Sequence, residues 1–146
     1  MSRRAKLLIA VGVVAFVAIS FVLARYLITE NRERDAVYAL LRDQARGDAR
    51  AMLARLDGCD ARCRAAVRAD ARRLARPGTV KILAYDSSTS YALGEASGPT
   101  RVAWTIVNRQ LPVVQCVEVT RKGNVLTGLT ISLRRLSVPI DRQGTC

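Results

Sequence analysis

The 146-residue chain contains no histidine, only three lysines among its 24 basic side chains, and a single tryptophan. Without histidine it lacks the side chain most often used as a general acid or base, and the commonest nitrogen ligand for a metal. Glycine-rich phosphate loops are also missing. Ser87, Ser88 and Ser90 form a hydroxyl-rich turn, but no histidine exists to activate a nucleophile there. The 12 acidic residues are not placed in pairs on one strand or helix face, as an acid-base couple requires. No catalytic residue, cofactor or metal site is therefore expected, and the chain reads as a non-enzyme.

What is present first is an uninterrupted run of 18 uncharged residues, Leu7 to Ala24, of which 12 are Leu, Ile, Val or Phe. As a helix it nearly spans the ~30 Å hydrocarbon core of a bilayer. At about −0.3 to −0.6 kcal/mol each, its large apolar residues give roughly −4 to −7 kcal/mol for insertion. A cleaved secretory signal is the alternative, and Val22-Leu23-Ala24 is an acceptable cleavage site. The run exceeds the usual 7–15-residue signal core, however, and Tyr26-Leu27-Ile28 carry the apolar character past Arg25. An uncleaved anchor over residues 7–27 is the reading adopted. Arg3, Arg4 and Lys6 crowd the tail of residues 1–6, whereas Glu30, Arg32, Glu33, Arg34 and Asp35 mix signs on the far side. The positive-inside rule then puts the N-terminus in the cytoplasm and the remaining ~120 residues outside it, at the cell membrane. That length suits one compact domain.

Four cysteines, Cys59, Cys63, Cys116 and Cys146, fall in this exported part, where two disulfides are the first expectation. Cys59-x-x-x-Cys63 has neither the spacing of a zinc knuckle nor that of a CxxC redox site. The expected pairs are Cys59–Cys63, in a non-helical turn opened by Gly58, and Cys116–Cys146, tying the tail to the sheet.

The chain changes character at Pro77-Gly78. Residues 28–76 are rich in Ala, Arg and Asp; residues 79–146 are rich in Val, Ile and Thr with turn residues between them. Helices followed by strands indicate an α+β domain. Val37, Leu40, Leu41, Ala45, Met52 and Leu56 gather on one helical face, with Gly47 marking a break. Asp60 can cap a second helix whose apolar side is Cys63, Ala66, Val67 and Leu74; Asp70, on that side, is expected to pair with Arg73. Five strands are candidates: Thr79–Tyr85, Ser90–Gly94, Arg101–Asn108, Val113–Arg121 and Val125–Leu136. Asp86-Ser87-Ser88 and Ser97-Gly98-Pro99 read as turns. Gly123-Asn124 suits a two-residue hairpin loop, which would set Cys116 opposite Ile131 and make Val114, Cys116, Leu129, Ile131 and Leu133 the core face. The other face would be half polar, with Gln115, Val117, Val119, Thr130 and Ser132. Trp104 shares a face with Val102 and Ile106 and is expected in the core.

Removing the three basic residues of the tail leaves 21 basic against 12 acidic side chains, a balance of +9. Outside the cell this favours anionic lipid or a wall polymer over nucleic acid. Arg64, Arg68, Arg72 and Arg76 repeat every four residues along the second helix, and Arg42, Arg46 and Arg50 do so on the first. Such like-charge spacing costs roughly 0.2–0.5 kcal/mol per pair. It marks a candidate face for an anionic partner, or the solvated side of helices in an arginine-rich proteome.

An N-terminal span, helices and then an antiparallel meander of four to five strands resembles membrane-anchored NTF2-like and cystatin-like domains over nearly the whole chain. The resemblance implies two helices packed on a curved sheet, and an accessory or assembly role with a protein partner in the cell envelope. Pilins and pseudopilins are similar in running a membrane helix into a helix packed on a sheet. Lys6-Leu7 is not their Gly-aromatic processing site, and Leu7 to Ala24 lacks their glutamate. A pilin-like subunit is the second reading; a secreted thiol-dependent or hydrolytic enzyme is the third.

Overall fold

The structure is a computed structural model that describes residues 2–76, 78–89, 95–107, 111–124 and 128–146. Its first helix, α1 (Arg3–Ala45), is continuous over 43 residues, about 64 Å. It starts where the Ser2 hydroxyl accepts from Ala5 N. The stretch Arg3–Ala24 is long and apolar enough to cross a membrane, and none of it is buried. From nine residues further on the same helix is in the core: Glu33, Val37, Leu40 and Leu41 are fully buried. One helix thus serves both segments on either side of the division at residues 27/28.

Two short helices follow. Gly47 takes a left-handed φ of 73°, and a Cβ there would stand 3.0 Å from the Ala75 Cβ, so α1 ends just before it. Asp48 caps α2 (Ala49–Arg55) through Ala51 N at 2.9 Å. Asp60 caps α3 (Ala61–Leu74) through Cys63 N at 2.7 Å. The six apolar residues expected on one helical face are all buried, Met52 and Leu56 among them. Asp70 is buried too, but among the described residues it forms no ion pair with Arg73 or any other group within 4 Å.

Four strands form one antiparallel sheet in the order 1-2-3-4: β1 (Val80–Ser87), β2 (Ala96–Ile106), β3 (Val113–Asn124) and β4 (Gly128–Leu136). The expected strand Ser90–Gly94, and Pro77, lie outside the described residues. Three expectations are corrected. Asp86 and Ser87 are not turn residues but the end of β1, paired with Arg101 and Thr100 of β2. Ser97-Gly98-Pro99 is not a turn but part of the first half of β2, paired in turn with Thr120, Val119 and Glu118 of β3. Pro99 is tolerated because its carbonyl accepts from Ser88 N on the β1 side, where β1 has just ended. Nor does β3 turn at Gly123-Asn124. It runs through both, with Asn124 opposite Gly128 and Arg121 opposite Ile131. This register differs from the expected one by five residues from Val119 to Asn124 and by six beyond the bulge at Glu118/Val119; an odd shift exchanges the face a strand sets beside its partner.

The core face of β3 is consequently Gln115, Val117, Val119 and Arg121, with Leu133 and Leu136 beside it on β4. Cys116 lies on the outer face instead. Turn preference alone favoured the two-residue loop; burying Val117, Val119, Leu133 and Leu136 against the helices, at about 1.5–3 kcal/mol per large apolar side chain, outweighs it. Trp104 fills the centre beside Val102 and Ile106, as its face predicted, and its indole donates to Gln115 Oε1 at 2.9 Å.

The direction of α1 across this sheet positions everything else. At one end Glu33 bonds Ser87, Thr100 and Arg121, beside the β1–β2 and β3–β4 connections. At the other end the Ala45 carbonyl accepts from Arg76 N, just before Val80, which pairs with Ile106. After β4, Ser137 N and Ile140 N donate to Cys116 O and Val114 O at 2.8 Å each. The tail then folds back over the outer face.

Candidate functional site

Three places concentrate chemistry. The first is the arginine surface. Arg64, Arg68 and Arg72 are exposed on α3, and Arg76 is exposed two residues past its end. They are not equivalent. Arg64 donates to the Cys59 carbonyl at 2.9 Å and so closes the turn before α3. Arg68, Arg72 and Arg76 have no side-chain partner among the described residues and remain exposed cations. The expected stripe Arg42, Arg46 and Arg50 does not lie on one helix, because α1 ends at Ala45 and Arg50 belongs to α2. Arg46, just past the end of α1, is taken up by the fully buried Asp43, which also binds Arg55. That part of the basic surface therefore neutralises an internal carboxylate.

The second is a buried polar node that no local pattern announced. Glu33 is 0% exposed. Its Oε1 accepts from Tyr85 Oη at 2.7 Å, Thr100 Oγ1 at 2.9 Å and Ser87 Oγ at 3.0 Å. Its Oε2 accepts from Arg121 Nε at 2.7 Å and from Arg121 Nη2. Burial pushes the Glu33 carboxyl up, but the hydrogen bonds from Tyr85, Arg121 and Thr100 outweigh it and leave the group below its ordinary range. Tyr85 is driven well above the usual phenol range by burial and by the carboxylate it serves, so it stays a donor. With five donors on one carboxylate and no solvent access, the node holds α1 on three strands. It does not present a reactive group. The one sequence signal for it was Glu33 standing four and seven residues before Val37 and Leu40, on the apolar side of the helix.

The third is an open hollow of about 540 Å³ on the outer sheet face, lined by Ser97, Pro99, Cys116, Glu118, Arg135 and Ser137 among others. Gly98 belongs to it: a Cβ there would meet the Ser88 carbonyl oxygen at 2.8 Å. The floor is the Cys116–Cys146 pair, whose Cα atoms are 5.8 Å apart; Cys59 and Cys63, the other expected pair, stand 5.3 Å apart and are likewise bonded. Arg101 grips the returning tail through the carbonyls of Gly144, at 3.0 Å, and Arg142. Glu118 and Arg135 face each other across β3 and β4. Both are exposed, and with the hydroxyls around them they give the hollow donors and acceptors of either sign, suited to an extended polar segment. Gln115 is buried beside Trp104, so it does not belong to this polar face; Thr130 is exposed. Among the described residues no three of His, Cys, Asp and Glu come together as a metal site. No protein-family profile, curated protein or solved structure matches this chain.

Proposed function

We propose that this protein is a single-pass, membrane-anchored binding or assembly module of an envelope complex, with its N-terminus in the cytoplasm and its α+β domain outside. The observation that carries the proposal is the continuity of α1. A helix with an exposed apolar span at Arg3–Ala24 becomes, without a break, the core helix of the domain. Flexible linkers let a tethered domain sample a volume, whereas an unbroken helix holds it at one height and orientation. That arrangement suits a part that must meet its partner at the membrane surface. The helix lying across a 1-2-3-4 meander supports assignment to the NTF2-like or cystatin-like class. The exposed Arg68, Arg72 and Arg76, together with the outer hollow, are the surfaces offered to a protein partner, to anionic lipid or to a wall polymer.

Reporter fusions after residue 30 test the topology: only reporters that work outside the cytoplasm should be active, and cytoplasmic activity would sink the proposal. Crosslinking in intact membranes tests the partner. Reversing Arg68 and Arg72 to Glu should reduce capture of the crosslinked partner and its salt sensitivity while leaving folding intact. Unchanged capture would shift the contact to the hollow around Glu118 and Arg135.

The same helix continuity, with a disulfide reaching the last strands, is what favours a pilin- or pseudopilin-like subunit as the second reading. Removal of the first few residues before the apolar run, followed by incorporation into filaments, would establish it.

A further inference from the structure

We infer that the domain does not stand off from the bilayer but rests on it, with the β1–β2 and β3–β4 ends of the sheet in the lipid headgroup layer. The inference rests on the membrane-anchor reading of α1 and deepens it.

The geometry follows from where Glu33 is held. Counting along the helix, Glu33 lies nine residues beyond Ala24, the end of the apolar stretch, or about 13 Å above the hydrocarbon boundary. At that height the carboxylate is bonded to Arg121 on β3 and to Ser87 on β1. Because α1 runs from this end of the sheet toward Val80 and Ile106, both strands head back toward the membrane as they pass Glu33. Strand β3 continues for three more residues, Lys122, Gly123 and Asn124, about 10 Å at the usual rise. Even if the strands cross the helix obliquely, the end of β3 comes within several ångströms of the hydrocarbon boundary. The headgroup region on each side is roughly 5–8 Å thick. Thus β3 ends at its outer margin or inside it, and Ser88, Thr89 and Glu95 on the neighbouring hairpin lie on the same side of the node.

The chemistry at this end agrees with the position. Lys122 is exposed and pairs with Glu95 at 3.3 Å, and Arg32, Arg34, Glu30 and Asp35 are exposed on the adjoining turns of α1. Signs are balanced, so the surface fits the phosphate and amine groups of a zwitterionic layer and needs no excess of anionic lipid. The node supplies the stiffness: α1 cannot rotate away from β1, β2 and β3 without unpairing a fully buried carboxylate and guanidinium.

The test uses the full chain in phosphatidylcholine nanodiscs doped with a lipid carrying a gadolinium chelate on its headgroup. Backbone amides of Lys122, Gly123, Ser88 and Thr89 should be broadened severalfold more than those of Lys81, Thr105 and Ile106 at the far end. Equal broadening at the two ends would overturn the inference. A chain that fails to enter the discs would overturn the anchor reading as well, which separates the two failures. As a second variant, seven residues of Ala-rich helix inserted after Glu30 raise the domain about 10 Å with nearly the same facing. The amide broadening at Lys122 should then fall severalfold from its value in the unextended chain, while the thermal midpoint stays the same. Persistent broadening at Lys122 in this raised variant would also refute the contact.

Discussion

At the scale of single residues, the buried charges decide most. Replacing Glu33 with Gln leaves the Arg121 guanidinium buried without its counter-charge, and should cost about 3–5 kcal/mol; replacing both with apolar residues of similar size should recover much of that. Urea midpoints of the two variants measure this directly. Since the Glu33 carboxyl is held below its ordinary value of 4.5, its contribution is complete above that pH. It fades as pH falls through the lowered value, and Glu33→Gln should lose this acid sensitivity. Asp70 has the opposite sign. Burial raises its carboxyl above 3.8, and the nearby Arg73 charge offsets this only in part, so ionised Asp70 weakens the fold at neutral pH. Asp70→Asn should stabilise by about 1 kcal/mol at pH 7, with the gain shrinking toward pH 4. Gln44 is fully buried with neither side-chain atom hydrogen-bonded among the described residues. Gln44→Met should therefore also stabilise, by about 1–2 kcal/mol in a melting experiment.

At the scale of elements, the helices were legible because their signals are local. Gly47 and Asp60 act within three or four residues of the boundaries they set. The strands were less so. Alternation located β1, β3 and β4 to within a few residues but could not choose their partners, and Ser97-Gly98-Pro99 carried turn chemistry into a strand. The tail is an element of its own kind, held to β3 by two backbone hydrogen bonds and by Cys116–Cys146, and to β2 by Arg101. For a separation of 30 residues loop closure alone is worth about 3–4 kcal/mol. Changing both Cys116 and Cys146 to Ser should lower the thermal midpoint accordingly, and by more than the same change at Cys59 and Cys63, whose separation is 4. A smaller loss for the longer loop would mean that the tail stays docked without its sulfur link.

For the whole molecule, span and domain share a helix but not a core. Among the described residues every buried apolar side chain lies at Val37 or beyond, and the node needs nothing before Glu33. A chain of residues 30–146 should fold with both disulfides and a stability within about 1 kcal/mol of the full chain in detergent, measured by calorimetry of each. Loss of folding on truncation would show that the anchor contributes to the domain itself.

The sequence by itself determined the apolar span, the order of helices before strands, the break at Gly47, the cap at Asp60, the apolar helix face and the burial of Trp104. Each of these is written in composition or in a period of two to four residues. Only the tertiary structure decided which face of β3 is core and which residues of β4 lie beside it, that α1 continues unbroken from span to domain, and that Glu33 meets Arg121 from 88 positions away. Register is a competition between a hairpin turn and the burial of a whole strand face, and the sum over the face exceeds the turn. A buried ion pair is likewise invisible locally, because neither charge is tolerable inside until the fold supplies the other.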